Sequence, residues 1–412
     1  MYRNPREGNG ARDGPGKAAA KVRTAGEIRD GTDQKRTVGT LNGKVIAAGH
    51  ICLDITPVFS EGRGCGKPEE LLIPGKLIRM EQADVHTGGS VANTGLALKI
   101  LGNDVTLLGK VGDDDFGRMI AQILSCYGAG GLIKDPDSAT SYSVVLAIPG
   151  NDRIFLHCPG ANDTFSGADV PEEALEDAVL FHFGYPPLMR RMYERDGEEL
   201  AALFRRVKAR GIATSLDLAA VDADSDAGRA DWNRILEKVL PEVDFFLPSF
   251  EELCFMLDPE RYSRLSASGG DMTERPGIPD EAEPLLDRLM AMGCKTAVIK
   301  CGKAGMVWRT AGEESLRKTG GRLSLDVARW AGRGGRQPCF RVETVRSATG
   351  AGDTCIAAFL TAVLRGKGPE SCVALAAAEG ACAVTSYDAL SGLKSLEELE
   401  ERIRNGQTVC RI

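Results

Sequence analysis

From Lys44 onward, short apolar runs of strand length alternate with longer segments of helical period, and this alternation constrains the chain more than any other feature. Lys44–Gly49, Val105–Val111, Val179–Phe183, Ala213–Leu218, Val243–Leu247 and Thr296–Lys300 read as strands. Ser90–Leu101, Arg118–Tyr127, Gly197–Arg210, Trp232–Leu240, Ser249–Leu257 and Glu281–Met292 read as the helices between them. Strands that are apolar throughout must be covered on both faces, and parallel strands need a crossover that a helix supplies. The expected fold class is therefore α/β: a doubly wound α/β/α sandwich around a mostly parallel central sheet. At 412 residues, 43% of them hydrophobic, the chain can fill such a core.

Two stretches break the pattern. Ile73–His86 and Ser141–His157 are rich in β-formers, and the second contains the turn sequence Pro149-Gly150-Asn151-Asp152. They predict an antiparallel β flap, a small lid drawn from about 53–86 and 141–162. Thr310–Arg341 is Gly- and Arg-rich and predicts an elaborated hairpin or loop. Residues 1–43 hold eight Gly, nine Lys/Arg and five Asp/Glu with no periodicity, and they predict a disordered tail ahead of one large domain over 44–412.

Composition excludes several classes. The net charge of −7 gives no reason to expect nucleic-acid or anionic-membrane partners. No run approaches the ~18 apolar residues of a spanning helix, and the charged start lacks a secretory h-region. Twelve scattered cysteines with no C-x-x-C pair, and only four histidines, give no zinc spacing and fit reduced thiols in the cytoplasm.

Two glycine-rich stretches carry chemistry. Thr349-Gly350-Ala351-Gly352-Asp353 precedes the apolar helix-like run Thr354–Leu364. Small residues before a helix leave backbone N–H groups free to converge on an anion, aided by the helix dipole. A carboxylate at the end of that loop can take a proton from a hydroxyl beside the anion, which is the equipment for phosphoryl transfer to an alcohol. Alone, the motif is more often a plain turn and N-cap. Earlier, Gly88-Gly89-Ser90-Val91-Ala92-Asn93 opens the helix that ends at Leu101-Gly102, where a ligand could approach the backbone and the Asn93 amide.

In this order the two stretches resemble the paired signatures of the PfkB carbohydrate kinase (ribokinase-like) family. Three further elements are similar to family landmarks: Gly49-His50-Ile51-Cys52-Leu53-Asp54, Gly109-Lys110-Val111-Gly112-Asp113-Asp114-Asp115-Phe116-Gly117, and Val298-Ile299-Lys300-Cys301-Gly302-Lys303-Ala304-Gly305. The resemblance runs from about Lys44 to Ser391. It implies a ribokinase-like kinase using ATP and Mg²⁺, with its ATP-binding half over about 240–412. Asp353 is then the base, and the N–H groups of Gly350, Ala351 and Gly352 hold the transferring phosphoryl group. Asp54, Gly88, Gly89 and Asn93 grip the acceptor, Lys300, Gly302 and Gly305 lie along ATP, and Glu252 serves Mg²⁺. Two residues depart from the pattern: Ser249 stands where the family usually has Asn beside the magnesium network, and Ser347 where an Asp helps bind a monovalent cation such as K⁺. The family's lid edges often pair between subunits, which implies a homodimer.

Ser90 follows the glycine pair where sugar-phosphate kinases of the family often carry Lys, which favours a free sugar. The alternatives are a nucleoside kinase, with Tyr142, Phe155 or Tyr185 facing a base, and a catalytically silent binder of sugar or nucleotide. Asp115-Phe116-Gly117 lacks the His-Arg-Asp partner of protein kinases, and no P-loop is present. His50 and His182 read as satisfied structural residues, His157 as a lid residue with some prospect of ligand contact, and Cys355 as packing.

Overall fold

The apolar runs do become strands. In the computed structural model, residues 43–60, 68–149, 151, 153–267, 272, 275, 277–386 and 388–406 are described. The expected tail lies outside them except for Gly43, as do Gly150 and Asp152 of the lid turn. In chain order the strands are β1 (Lys44–Gly49), β2 (Cys52–Thr56), β3 (Asp84–Gly88), β4 (Asp104–Gly112), β5 (Ile133–Asp135), β6 (Tyr142–Leu146) and β7 (Ile154–Cys158). There follow β8 (Ala178–Gly184), β9 (Ala213–Leu216), β10 (Phe245–Phe246), β11 (Thr296–Lys300), β12 (Met306–Thr310) and β13 (Gly334–Gln337).

Nine strands form the central sheet in the order β13-β12-β11-β10-β9-β8-β1-β4-β5. The pairs from β5 to β11 are parallel; β12 alone runs against them, and β13, antiparallel to β12, returns to the common direction. Side chains alternate across β1 as the pleat requires. Ile46 and Ala48 join the apolar layer under helices Arg190–Ala209 and Trp232–Val239, while Val45 and Ala47 join the layer under Ser90–Ile100 and Ala351–Leu364. Both faces are therefore buried, which is why the strands carry no polar alternation.

Several expectations change in detail. The helix expected from Gly197 is preceded by a further helical turn from Arg190, the two pieces of Arg190–Ala209 being joined across a kink at Glu194–Gly197, where Arg195, Asp196 and Gly197 all have positive φ. Of Ile73–His86, only the stretch from Asp84 becomes strand; Leu72, Ile73 and Leu77 face solvent, so their β preference finds nothing to pack against. The lid is a four-stranded sheet, β3-β2-β6-β7, and it is mixed rather than antiparallel. Its outer pairs are antiparallel, but β2 and β6 meet in parallel, with Leu53 opposite Tyr142.

The Gly- and Arg-rich segment is a strap linking β12 to β13. Arg322 donates to the carbonyls of Leu175, Glu176 and Ala178 at 2.9, 2.7 and 3.0 Å, just before and at the start of β8. The Gly320 N–H donates to the buried Asp244 carboxylate at 3.2 Å. Trp330 is buried against Phe245 and Phe359, with ring centroids 5.9 and 6.3 Å away. Among the described residues no disulfide forms and ten cysteines are free thiols.

Candidate active site

The C-terminal ends of the parallel strands are where ligands bind in open α/β sheets. Here that edge carries His50 after β1, Tyr185 after β8, Asp217 after β9, the Ser249–Glu252 turn after β10 and Lys300 at the end of β11. The helix Ala351–Leu364 starts at the same edge, and Gly350 is its N-cap at φ 71°. A Cβ at Gly350 would stand 2.1 Å from that of Ala389, so backbone and neighbour both require glycine.

Asp353, in the first turn of that helix, is 3% exposed. Its Oδ1 accepts from Thr94 Oγ1 at 2.8 Å, and its Oδ2 from Tyr185 Oη at 2.7 Å and Asn93 Nδ2 at 3.2 Å. Asn93 and Thr94 lie on the helix opened by Gly88-Gly89, so the two glycine-rich stretches meet at one carboxylate. A carboxylate has about four lone-pair positions, and three donors leave room for one more. Burial, then the negative charge of Asp353, pushes the Tyr185 phenol well above its ordinary range, so it stays a donor. Tyr185 itself adopts left-handed angles, φ 65° and ψ 42°, a strain found where structure holds a residue to a task.

Behind the carboxylate, Lys300 Nζ bonds Asp217 Oδ1 at 2.9 Å in a buried pair. Burial pushes Asp217 up to about 8, with Glu252 and Asp353 adding to the rise and Lys300 opposing it. For Lys300 burial works downward, but Asp217, Glu252 and Asp353 outweigh it and hold the ammonium above its ordinary range. Lys300 Nζ also lies 3.6 Å from the position of a Cβ on Gly352, which sets the ammonium beside the small-residue loop. In that loop the Ala351 N–H closes a 3.2 Å turn bond to the Ala348 carbonyl, while those of Gly352 and Asp353, first-turn donors, make no bond among the described residues. The Thr349 hydroxyl is buried and unpartnered.

The lid supplies the other wall. Cys52 Sγ donates to Asp54 Oδ1 at 3.2 Å, and a Cβ on Gly88 would lie 2.2 Å from Asp54 Oδ2, so glycine there leaves space for the carboxylate. Between the lid strands β6 and β7 and the Thr349 loop there is a direct link: Arg153 donates to Ser347 Oγ at 2.6 Å, and the same oxygen accepts the Thr349 N–H at 3.1 Å.

A family model for pfkB family carbohydrate kinases matches residues 65–396. The chain belongs to the PfkB family. Fructokinase-1 of Oryza sativa is 35% identical over 101 residues, 24% of this chain and 31% of that protein. The chain spans about a third to a half of the length of the curated relatives it matches. Among solved structures, the ATP-bound fructokinase of Xylella fastidiosa superposes with a TM-score of 0.63 at 21% identity, covering 89% of this chain and 100% of that one. The ribokinase of Arabidopsis thaliana, solved with ribose and ATP, gives 0.60 at 19% identity over 87% and 98%. These likenesses show the fold, which is that of ribokinase.

Within this PfkB chain, the structure gathers Asp353, Gly350, Ala351, Gly352, Asn93 and Lys300 into one place. Gly88, Gly89 and Asp54 line the neighbouring lid corner. The Asn93 amide, which the resemblance assigns to the acceptor, donates to Asp353 instead. Gly302 and Gly305 shape the turn between β11 and β12, where a Cβ on Gly305 would meet the Gln337 carbonyl at 2.1 Å. Ser249 is the N-cap of Phe250–Leu257: its N–H donates to Glu252 Oε2 at 2.9 Å and its Oγ accepts the Glu252 N–H at 3.4 Å. Among the described residues no three His, Cys, Asp or Glu side chains converge as a metal cage.

His182 is satisfied, by Ser90 Oγ and Ser215 Oγ at 3.1 Å each. His50 is not: burial holds it well below its ordinary range and neither ring nitrogen has a partner. The reading of His50 as a satisfied core residue is therefore corrected. Cys355 packs as expected, with burial pushing its thiol up to about 12. Sequence reasoning missed Thr94, Tyr185 as a partner of Asp353, Asp217 and Arg153. Each is a single residue brought in by topology, and the one local signal available was the position of Tyr185 and Asp217 directly after buried strands.

Proposed function

We propose that this chain is a kinase that transfers the γ-phosphoryl group of ATP to a hydroxymethyl group of a free sugar. The observation that carries the reading is Asp353, held by three donors in the first turn of a helix that offers unpaired N–H groups there, with Lys300 alongside. In the reaction the acceptor hydroxyl gives its proton to Asp353 and its oxygen bonds the γ-phosphorus. The bond from that phosphorus to the β–γ bridging oxygen breaks, and ADP leaves. The N–H groups of Gly350, Ala351 and Gly352 hold the phosphoryl oxygens as charge shifts, Ala351 giving up its long turn bond. Lys300, with Gly302 and Gly305, lies along the nucleotide, and Asp54, Gly88, Gly89 and Asn93 border the acceptor.

Mg²⁺ fits this edge. Asp217, Glu252 and Asp353 outnumber the one ammonium among them, and Mg²⁺ needs few protein ligands when phosphates and waters supply the rest. Bound with ATP, it would neutralise phosphate charge, and Glu252 is the residue we assign to hold it. Ser249 already caps its helix, which leaves Glu252 alone for the metal, and Ser347 already serves the Arg153 link, so no monovalent cation enters the proposal.

Ser90 is buried against His182 and offers no charge to a phosphorylated acceptor, which supports a free sugar. We place the enzyme in the cytoplasm; among the described residues no helix is long and apolar enough to cross a membrane. The test is ADP release with ATP and Mg²⁺ against fructose, ribose, other free sugars, sugar phosphates and nucleosides. Release with a free sugar, and a product phosphorylated on the hydroxymethyl oxygen, is the expected result. Release only with a nucleoside or a sugar phosphate overturns the substrate class, and none with any acceptor overturns the activity.

A further inference from the structure

Two histidines meet where β1 passes into β2 and the lid strand β7 lies over it. His50 is 2% exposed, and both of its ring nitrogens are buried without a partner. His157, on β7, shares a hydrogen bond between its Nδ1 and Ser143 Oγ at 3.0 Å, while its Nε2 is buried and unpartnered. The two ring centroids are 5.2 Å apart at a tilt of 47°. On its other side His50 lies 6.0 Å from the ring of Tyr185, whose hydroxyl reaches Asp353 at 2.7 Å. A Cβ on Gly89 would stand 2.6 Å from His50 Nδ1, so the imidazole rests directly on the glycine turn. The pair thus occupies the corner between Asp54, Gly89 and the carboxylate assigned as the base.

Three unmatched ring nitrogens in one buried corner are costly for a purely structural role, since an unmade buried hydrogen bond carries its full desolvation penalty. His182 provides the contrast within the same sheet edge. It is equally buried and only packs, and serines match both of its nitrogens.

We propose that His50 and His157 are specificity-determining residues that read two hydroxyl groups of an uncharged, polyhydroxylated acceptor. A neutral imidazole presents one donor and one acceptor, and so does a hydroxyl, so two tilted rings match a pair of neighbouring hydroxyls. Burial holds both rings below the ordinary imidazole range, which keeps them in that neutral form. The charged groups acting on His157 are the carboxylates Asp54 and Asp163, so an acceptor bearing phosphate or carboxylate is repelled there. Because His50 belongs to the core edge and His157 to the lid, an acceptor that engages both also draws the lid onto the site.

The inference rests on the kinase reading only for the reaction the acceptor enters, so binding is measured beside turnover. In the full-length protein His50→Phe removes the polar ring, and His157→Gln, on the more accessible lid strand, keeps an amide and tests the pair should the first variant not fold. The acceptor is the best free sugar from the panel, with its singly deoxygenated forms alongside. Acceptor KM and calorimetric Kd should rise about three- to tenfold in each variant, with KM for ATP unchanged. One deoxy form should lose that same factor against the wild type and nothing further against the variant.

Wild-type turnover with acceptor KM unchanged in both folded variants overturns the proposal and leaves the kinase reading standing. Sugar binding without turnover, weakened in the variants, supports the histidine pair while the kinase reading fails. A wild type that neither phosphorylates nor binds any uncharged polyol overturns both.

Discussion

Asp353 is the residue on which the chemistry turns, and its surroundings give it two separable duties: taking a proton and sitting still. Tyr185 serves only the second. Removing its hydroxyl in Tyr185→Phe takes away a hydrogen bond to a charged group, a loss of about 1.5–3 kcal/mol. We expect kcat to fall about 10- to 100-fold with KM for ATP unchanged, measured by steady-state kinetics. Asp353 was legible in the sequence because its loop has a local pattern that one stretch of chain can hold. Tyr185, Thr94 and Asp217 were not, since nothing in their spacing links them to residue 353. They meet it only once strands β8 and β9 stand beside β1 and the two glycine-led helices pack together. His50 was misread for a related reason: a histidine beside an apolar strand looks the same in sequence whether or not its nitrogens find partners.

At the scale of elements, the lid and the phosphate loop are joined by Arg153 and Ser347, 194 positions apart. Arg153→Ala should leave the fold intact and loosen closure, so that water competes with the acceptor. The expected outcome is a several-fold fall in kcat with a larger share of ADP released without sugar, read by comparing ADP and sugar phosphate formed. Gly350→Ala tests the loop itself. It places a Cβ 2.1 Å from Ala389 at a φ of 71°, and should lower stability by about 1–3 kcal/mol in urea unfolding. The core strands and helices were legible because burial on both faces leaves an unbroken apolar signature. The lid was legible as β structure but not in its parallel β2–β6 pairing, which depends on where two separate chain segments come to rest. The strap was legible as an elaborated hairpin, which the antiparallel pairing of β12 and β13 bears out, but its path was not, because carbonyl contacts of Arg322 and the burial of Trp330 replace any periodic pattern.

For the molecule as a whole, stability should depend on pH in a direction set by its buried groups. Burial pushes Glu379 up to about 8, so it holds a proton in the folded state that the unfolded chain releases near its ordinary value. Folding then binds protons between the unfolded and folded values, and stability falls as pH rises through that window. Burial lowers His50, His157 and His182, which work in the opposite sense, but only below about 6.5, where an unfolded imidazole titrates. Between about pH 6.5 and 8 Glu379 therefore decides the slope. Glu379→Gln should remove up to about 1.4 kcal/mol per pH unit of it, measured from urea midpoints across that range. On the outer lid strand Ile154, Phe155 and Leu156 are exposed, Phe155 by 56%; among the described residues no further strand pairs with this edge, and we propose it as the place where two copies of the chain meet. Sedimentation of Phe155→Lys against the wild type checks it, with a shift toward monomer expected. The most direct test of the central claim is turnover of Asp353→Asn with ATP, Mg²⁺ and the preferred sugar, at equal folding and equal affinity for ATP. A loss of about 10²–10⁴-fold in kcat is the predicted result; turnover at the wild-type rate would contradict the assignment of Asp353 as the base.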